Sequence, residues 1–234
     1  MALAHGAMAA DHRFGLGVGV DHYRESGMQL TGPALGLHYQ ADLGPESPWL
    51  FEFDAALARV RYTSRDTGDM SGVANVSTHW RGFYSLGRLG GMPWYGGVSL
   101  RSNWNDLRGT TSTGNEGYVR ENGSVWGSVR WQQGMSPSEG HARSIDYTVS
   151  VLLKGVQRSY LSQANRNYEN VLNRQSRGVS LGVQGRWHID GRNVEPYVQY
   201  TWVGRSDVVV TGDVWVMEPA NHRLLAGVVF WSKN

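Results

Sequence analysis

The sequence predicts an all-β fold, namely a transmembrane, antiparallel, up-and-down β-barrel of about ten strands. Three observations predict it: apolar and polar residues alternate along most segments, the connections are alternately short and long, and aromatic residues collect at segment ends. Successive side chains of a strand point to opposite faces of the sheet, so these strands have one apolar and one polar face. A closed barrel with lipid outside and a polar lumen requires strands of this kind.

Ten segments show the alternation, and the eighth shows it most clearly. There Val179, Leu181 and Val183 belong to one parity, whereas Gln184 and Arg186 belong to the other. Alternation of this length predicts a strand with a single apolar face. The predicted strands are residues 13–23, 34–43, 49–62, 75–86, 94–105, 119–132, 145–156, 179–190, 194–203 and 223–231. Their first outward residues, in chain order, are Phe14, Leu35, Trp49, Val76, Trp94, Val125, Ile145, Val179 and Val198 for strands one to nine.

Two of these strands depart from simple alternation. In the third, the apolar residues pass from the parity of Phe51 and Phe53 to that of Val60 and Tyr62. A slip of parity predicts a β-bulge, here near Ala55–Ala58. The tenth strand is apolar on both parities, so the sequence alone does not decide which of its faces points outward.

The connections alternate in length along the chain. Those after strands two, four, six and eight are short or rich in turn residues: 44–48, 90–93, 134–142 and 190–193. Those after strands three, five, seven and nine are longer and polar: 63–72, 106–117, 157–177 and 204–222. Short turns at one end and long loops at the other are typical of bacterial transmembrane barrels, with both termini at the short-turn end. Within the last connection, residues 208–216 predict a hairpin about Thr211–Asp213.

Aromatic residues of the outward parity gather at the strand ends. Tryptophan and tyrosine prefer the membrane–water interface, and barrels carry girdles of them. The girdle predicted beside the short turns consists of Phe14, Trp49, Trp94, Trp131, Tyr147 and Trp187. A second girdle, near the opposite ends, is predicted from Tyr62, Trp80, Trp104 and Trp202.

Composition excludes several classes of protein. The 234 residues contain no cysteine, which excludes disulfides and thiolate metal sites. The formal net charge of +2 is too small to predict nucleic-acid binding. We predict neither a bound metal nor a cofactor. Residues 1–11 are interpreted as a signal-peptide remnant, because Ala7-Met8-Ala9 has a small-x-small form, and residues 12–234 as a single barrel domain.

A soluble β-protein is the alternative fold. A lipocalin-like barrel would turn its apolar face inward, where ten strands would crowd several tryptophans and tyrosines into one small, close-packed lumen. A two-sheet sandwich has room for them, but it explains neither the girdles nor the alternation of the connections. The membrane barrel therefore accounts for more of the pattern.

The last strand ends in Gly227-Val228-Val229-Phe230-Trp231. This stretch resembles the aromatic-ended final strand of Gram-negative outer-membrane β-barrels, and the alternation extends the resemblance to nearly the whole chain. The resemblance to that class implies an integral outer-membrane location. It also implies contact with membrane lipid and lipopolysaccharide, and the barrel-assembly machinery as a partner during biogenesis.

Charged residues of the inward parity form the predicted lumen. Its basic residues are Arg81, Arg101, Arg130, Lys154 and Arg186, and its acidic residues are Asp42, Glu52, Asp54, Asp146, Asp190 and Glu195. Charges in a narrow barrel must pair or remain hydrated. Two interpretations therefore stay open: a salt-bridged plug, or a narrow aqueous path. The leading functional prediction is a porin-like channel or export conduit for the transport of small polar solutes.

Two other functions remain as alternatives. The connection 157–177 holds Arg158, Arg166, Arg174 and Arg177, which suit lipopolysaccharide phosphates or an acidic glycan. A non-conducting surface protein, such as an adhesin, receptor or lipopolysaccharide-binding scaffold, would use them and would add a surface or export partner. An outer-membrane hydrolase is the third candidate, with His222 near the acidic residues Asp66, Asp69, Asp106, Asp207 and Asp213. Gly178–Gly182 matches G-x-S-x-G, but it lies in unbroken alternation rather than at a strand–helix turn.

Overall fold

A computed structural model describes residues 11–43, 47–135, 141–189, 192–205 and 220–232. Nearly all of them are in strands, as expected from the alternation. The strands in this part of the chain are β1 (Asp11–Glu25), β2 (Met28–Asp42), β3 (Trp49–Ser64), β4 (Gly68–Leu89), β5 (Met92–Asp106), β6 (Val119–Met135), β7 (His141–Ser159), β8 (Val171–Gln175), β9 (Gly178–Ile189), β10 (Val194–Arg205) and β11 (Ala220–Trp231). The predicted signal-peptide remnant and the predicted hairpin in 208–216 lie outside the described residues.

The strands form one closed antiparallel sheet. Each strand from β1 to β7 pairs with the next, β9 pairs with β7 and β10, and β11 pairs with both β10 and β1. The short strand β8 pairs with β7 at Gly155–Ser159, whereas β9 pairs with β7 at His141–Val151. The two therefore share one place in the wall. The described strands form a ten-stranded, all-β, up-and-down barrel, which confirms the predicted fold.

The outer face of the barrel is apolar and the inner face is polar. Leu16 and Leu35 are 67% and 62% exposed on the outside, whereas Asp21 and Ser180 are 1% exposed on the inside. Large apolar side chains on the outside of a closed sheet require a lipid surrounding. This arrangement excludes the soluble alternative. Separately, the described residues include no helix with the length and apolar character needed to cross a membrane.

The residues predicted for the girdle beside the short turns lie on the outer face. Trp94 stacks on Trp131, with ring centroids 5.7 Å apart, and Trp131 stacks on Tyr147 at 5.6 Å. Trp49 makes an edge contact with Tyr84 at 5.2 Å. Phe14 and Trp187 are also exposed on this face. We call this end of the barrel, where β1 begins and β11 ends, the periplasmic end, and the opposite end the loop end.

The strands are longer at the loop end than the sequence predicted. β3 and β4 meet at a turn of residues 65–67, so most of the predicted connection 63–72 is strand. The predicted connection 157–177 contains the end of β7, a 3₁₀ turn at Leu161–Gln163 and β8. Apart from Leu172, the outer face of these extensions is mostly polar. In the sequence alone, polar residues on the outward parity resemble a loop.

The predicted bulge at Ala55–Ala58 is wrong. The pleat of β3 continues without a slip, so Ala58 and Val60 are buried inside, and Arg59 and Arg61 are exposed outside. The outer residues of β3 change from apolar to charged because, above the lipid, the outer face of the strand is in contact with water. Tyr62 therefore faces inward and does not join the second girdle. A register shift lies instead on the β4 side, opposite Val60/Tyr62.

The interior of the loop end is an apolar core. It consists of the buried residues Leu30, Ala58, Val60, Val73 and Leu107. The connection between β5 and β6 covers it, since Leu107 belongs to that connection. The backbone N–H of Ser112 donates to the carbonyl of Asp69 at 2.8 Å and fastens the connection to β4. On the β2–β4 side, the barrel is therefore apolar inside and polar outside at this level, the reverse of its membrane-spanning part.

Candidate functional site

A chain of ion pairs crosses the lumen toward its periplasmic end. On the β3–β4 side, the Arg81 guanidinium lies 2.9 Å from Glu52 and is also paired with Asp54. His38 of β2 extends this side, because its Nδ1 is 2.7 Å from Asp54 Oδ1. Strand pairing explains the proximity, since Glu52 is directly opposite Arg81 and His38 is directly opposite Asp54.

The same chain continues to the opposite wall through Arg130 of β6. Its Nη1 donates to Glu52 at 2.9 Å and its Nη2 donates to Asp146 of β7 at 2.7 Å. Arg186 of β9 then donates to Asp146 at 2.5 Å. Glu52, Arg130 and Asp146 are 7%, 4% and 3% exposed, so water barely reaches them. We call the six residues Glu52, Asp54, Arg81, Arg130, Asp146 and Arg186 the lumen network.

The lumen network is electrically balanced, with three arginines and three carboxylates. A buried charge is costly unless it is paired, and removing one partner leaves the other uncompensated. Because Glu52 and Asp146 each contact two arginines, and Arg81 and Arg130 each contact two carboxylates, the residues hold one another in place. The arrangement acts as a cross-brace between opposite walls of the barrel.

Two further ionic contacts lie closer to the loop end, and sequence reasoning did not single them out. Arg223 donates to both oxygens of Asp21, at 2.9 and 2.7 Å, and Asn75 also donates to Asp21 at 2.8 Å. Higher up, Arg120 donates to Glu25 at 2.5 Å. Asp21 and Glu25 continue the inward parity of β1, which was the available signal. Arg223 lies on the strand whose faces the sequence left open.

Several predicted lumen residues lie elsewhere. Lys154 is exposed on the outer face of β7, because a register shift between β6 and β7 beside it reverses the parity. Asp42 is exposed at the end of β2, at the periplasmic mouth. Asp190 lies outside the described residues. Glu195 is buried and borders a small space of about 30 Å³ beside Arg186.

Three spaces lie inside the described part of the barrel. A space of about 160 Å³ lies on the loop side of the lumen network and borders Arg101. Two spaces of about 30 Å³ each adjoin the network itself. Both smaller spaces are large enough to hold water. Arg101 is the predicted lumen arginine that has no place in the lumen network.

The arginines predicted to bind anionic glycans point away from the lumen. Arg158 on β7 and Arg174 on β8 are exposed on the outer face, and Lys154 joins them there. Arg166 and Arg177 are exposed in the connections beside these strands. The sequence interpretation had separated Lys154 from this group, whereas the structure assembles Lys154, Arg158 and Arg174 into one basic patch, which we call the β7–β8 patch.

The acidic residues at the loop rim do not assemble a hydrolase site in the described residues. Asp69 pairs with Arg61 at 2.6 Å, and Asp106 accepts from Arg108 at 2.8 Å, a contact that raises the pKa of the Arg108 guanidinium. His222 points outward and is 2.7 Å from the Tyr200 hydroxyl. Asp207 and Asp213 lie outside the described residues. In Gly178–Gly182, Ser180 lies within the continuous strand β9, so no nucleophile elbow forms.

Solved structures similar to this chain are Gram-negative outer-membrane barrels. The β-domain of the Bordetella autotransporter Brka is 10% identical, covers 95% of this chain and 99% of its own, and has a TM-score of 0.45. The translocator domain of the autotransporter NalP from Neisseria meningitidis is 9% identical, covers 94% and 88%, and has a TM-score of 0.47. The Escherichia coli outer membrane protease OmpT is 9% identical, covers 99% of both chains, and has a TM-score of 0.46. No family model matches the chain, and no curated protein sequence does.

The closed sheet, its apolar outer wall and its aromatic girdle place the molecule in a membrane. The chain is a transmembrane β-barrel. Sequence identities of 9–10% are too low for the activities of these neighbours to be assigned to this protein.

Proposed function

We propose that this barrel is a non-conducting surface protein of the outer membrane that acts through its exterior at the loop end. The observation that carries the proposal is the lumen network, which joins β3, β4, β6, β7 and β9 across the interior. Conduction by the predicted channel requires Arg81, Arg130 and Arg186 to be hydrated and unpaired. Each of them is paired with at least one carboxylate instead.

A second barrier supports the proposal. The apolar core of Leu30, Ala58, Val60, Val73 and Leu107 occupies part of the mouth at the loop end. An ion that passes the lumen network would still meet this layer, whose apolar side chains offer no hydrogen-bonding partners, and the buried Arg120–Glu25 pair at the same end. The two barriers are built from different interactions, so the loss of one leaves the other in place.

The exterior carries the features expected of a lipopolysaccharide-binding scaffold. In the β7–β8 patch, Lys154, Arg158 and Arg174 surround outward apolar residues such as Val156 and Leu172, which are 41% and 45% exposed. Arginine binds phosphate with paired hydrogen bonds, and lysine binds it as a point charge. Basic side chains just above an apolar surface suit a phosphorylated glycolipid, whose acyl chains lie beside the phosphates.

Conductance in a planar lipid bilayer tests the sealed barrel. We expect the refolded wild-type protein to insert without opening steps over a range of voltages and salt concentrations. Insertion is checked independently by the heat-dependent shift of the folded barrel on a gel. Steady, anion-selective conductance of the wild type would restore the channel interpretation.

Binding of phosphorylated glycolipid tests the β7–β8 patch. We expect the triple variant Lys154→Gln, Arg158→Gln, Arg174→Gln to bind lipopolysaccharide at least about tenfold more weakly than the wild type, because charge-assisted hydrogen bonds contribute roughly 1.5–3 kcal/mol each. Arg166→Gln, in the exposed connection, serves as the matched control. Equal binding of intact and enzymatically dephosphorylated lipopolysaccharide by the wild type would contradict the assignment.

A further inference from the structure

An interior space on the loop side of the lumen network has its own chemistry. It has a volume of about 160 Å³ and lies between the lumen network and the loop end. Arg101 and His79 border it on one side, and Trp126 and Val203, both buried, border it on another. Gln199 is among its uncharged polar residues. The Asp54 carboxylate and the Arg205 and Arg223 guanidinium groups border it as well. Asp54 is already paired with Arg81, and Arg223 with Asp21, so the space combines the Arg101 cation with an apolar wall.

Arg101 has no carboxylate partner among the described residues. Its Nη1 donates to the Ser180 hydroxyl at 2.9 Å, and its guanidinium lies 5.0 Å from the centre of the Trp126 ring. Other inward arginines, namely Arg81, Arg120, Arg130, Arg186 and Arg223, are paired with acidic side chains. The buried carboxylate Glu195 borders a different space, beside Arg186.

Hydrogen-bond acceptors are scarce around this arginine. The Nε of Arg101 and the Nη1 of Arg81 approach the two ring nitrogens of His79, each at 3.4 Å. A neutral imidazole has a single acceptor nitrogen, so His79 satisfies only one of these two donors. An anion in the space would supply the missing acceptors and the missing negative charge.

We propose that this space binds one small organic anion, a monocarboxylate no larger than benzoate. Its carboxylate would bind Arg101, and its apolar body would pack against Trp126. The size limit comes from the volume, because an engineered apolar cavity of about 150 Å³ binds benzene. The proposal is independent of the surface function, since a sealed barrel can hold a ligand.

Thermal unfolding of the detergent-solubilised barrel tests this site, with benzoate as the probe and benzamide as its neutral isostere. Each compound is added both to the folded protein and before refolding, so that slow entry does not hide binding. Benzoate raises the unfolding temperature of the wild type and benzamide does not. Arg101→Gln weakens the apparent benzoate affinity roughly 10- to 100-fold, because a hydrogen bond to a charged group is lost. Arg59→Gln, on the outer face of β3, keeps the wild-type response.

Equal stabilisation by benzamide would overturn the anion assignment, and so would the absence of any benzoate response after refolding with it. A second measurement does not depend on the folding of a variant. In crystals grown with 4-iodobenzoate, the anomalous signal of iodine lies inside the barrel beside Trp126. An iodine site on the lipid-facing wall alone would also overturn the proposal.

Discussion

Arg130 illustrates how a single residue secures the interior. It donates to two carboxylates that belong to different strands, and it is almost completely buried. Alternation along β6 predicted that Arg130 faces the lumen. It did not predict the partners, because Glu52 is 78 residues away in sequence and several other inward carboxylates were equally available. Pairing across a barrel depends on strand register, which a single strand does not encode.

Replacing Arg130 tests the cost of breaking the lumen network. Arg130→Met leaves Glu52 with Arg81 and Asp146 with Arg186, but it removes the connection between these two pairs. We expect a loss of roughly 3–5 kcal/mol in the free energy of unfolding, measured by urea titration in lipid vesicles. Arg158→Met, on the exposed outer face, should change it by less than about 0.5 kcal/mol. Equal effects would mean that the network is hydrated.

At the scale of the strand, the outer face passes from lipid into water while the alternation of side chains continues unchanged. Leu57 and Arg59 are neighbours on the outer face of β3, yet one is apolar and the other is charged. The sequence predicted a bulge there because it assumed that lipid covers the whole outer face. The true bulge beside Lys154 was missed for the complementary reason: its residues are plausible on either face. Strand existence was therefore predictable, whereas strand ends and bulges were not.

The level of the lipid boundary can be measured with one substitution made at two heights. Val183→Arg lies within the apolar wall of β9 and should cost roughly 2–4 kcal/mol of unfolding free energy, as a charge on the lipid face does. Gln29→Arg lies on the exposed outer face of β2 at the loop end and should cost less than about 1 kcal/mol. Urea titration of both variants in vesicles gives the comparison. Similar costs would show that lipid extends over the loop-end strands.

At the scale of the whole molecule, the lumen network connects opposite sides of the closed sheet from within. The lumen of a ten-stranded barrel is wider than that of an eight-stranded barrel, which side chains can just fill. In this barrel, long, paired side chains such as Arg130 and Arg186 occupy much of the lumen. Composition and alternation were sufficient to predict the closed wall. They left the choice between plug and pore open, because the same arginines and carboxylates satisfy both until their distances are known.

Removing the brace in an electrically balanced way separates its mechanical role from its barrier role. The double variant Glu52→Ser, Arg130→Ser replaces one carboxylate and one arginine, keeps the Arg81–Asp54 and Arg186–Asp146 pairs, and leaves a wider, hydrated lumen at that level. If the lumen network is the principal barrier, the variant should open measurable conductance in a planar bilayer. If it inserts and remains silent, the apolar core at the loop end is sufficient to seal the barrel by itself.

The pairing of β1 with β11 has a consequence for how the molecule is made. Gly15 lies opposite Trp231, so the seam joins the two ends of the chain. Until β11 has been synthesised and delivered, β1 has no partner on that side, and its free backbone groups can template pairing with another chain. Such a distant contact forms slowly, because a long loop must close first. We therefore propose that a chaperone or a membrane-bound assembly factor protects both open edges of the nascent protein until the seam is formed.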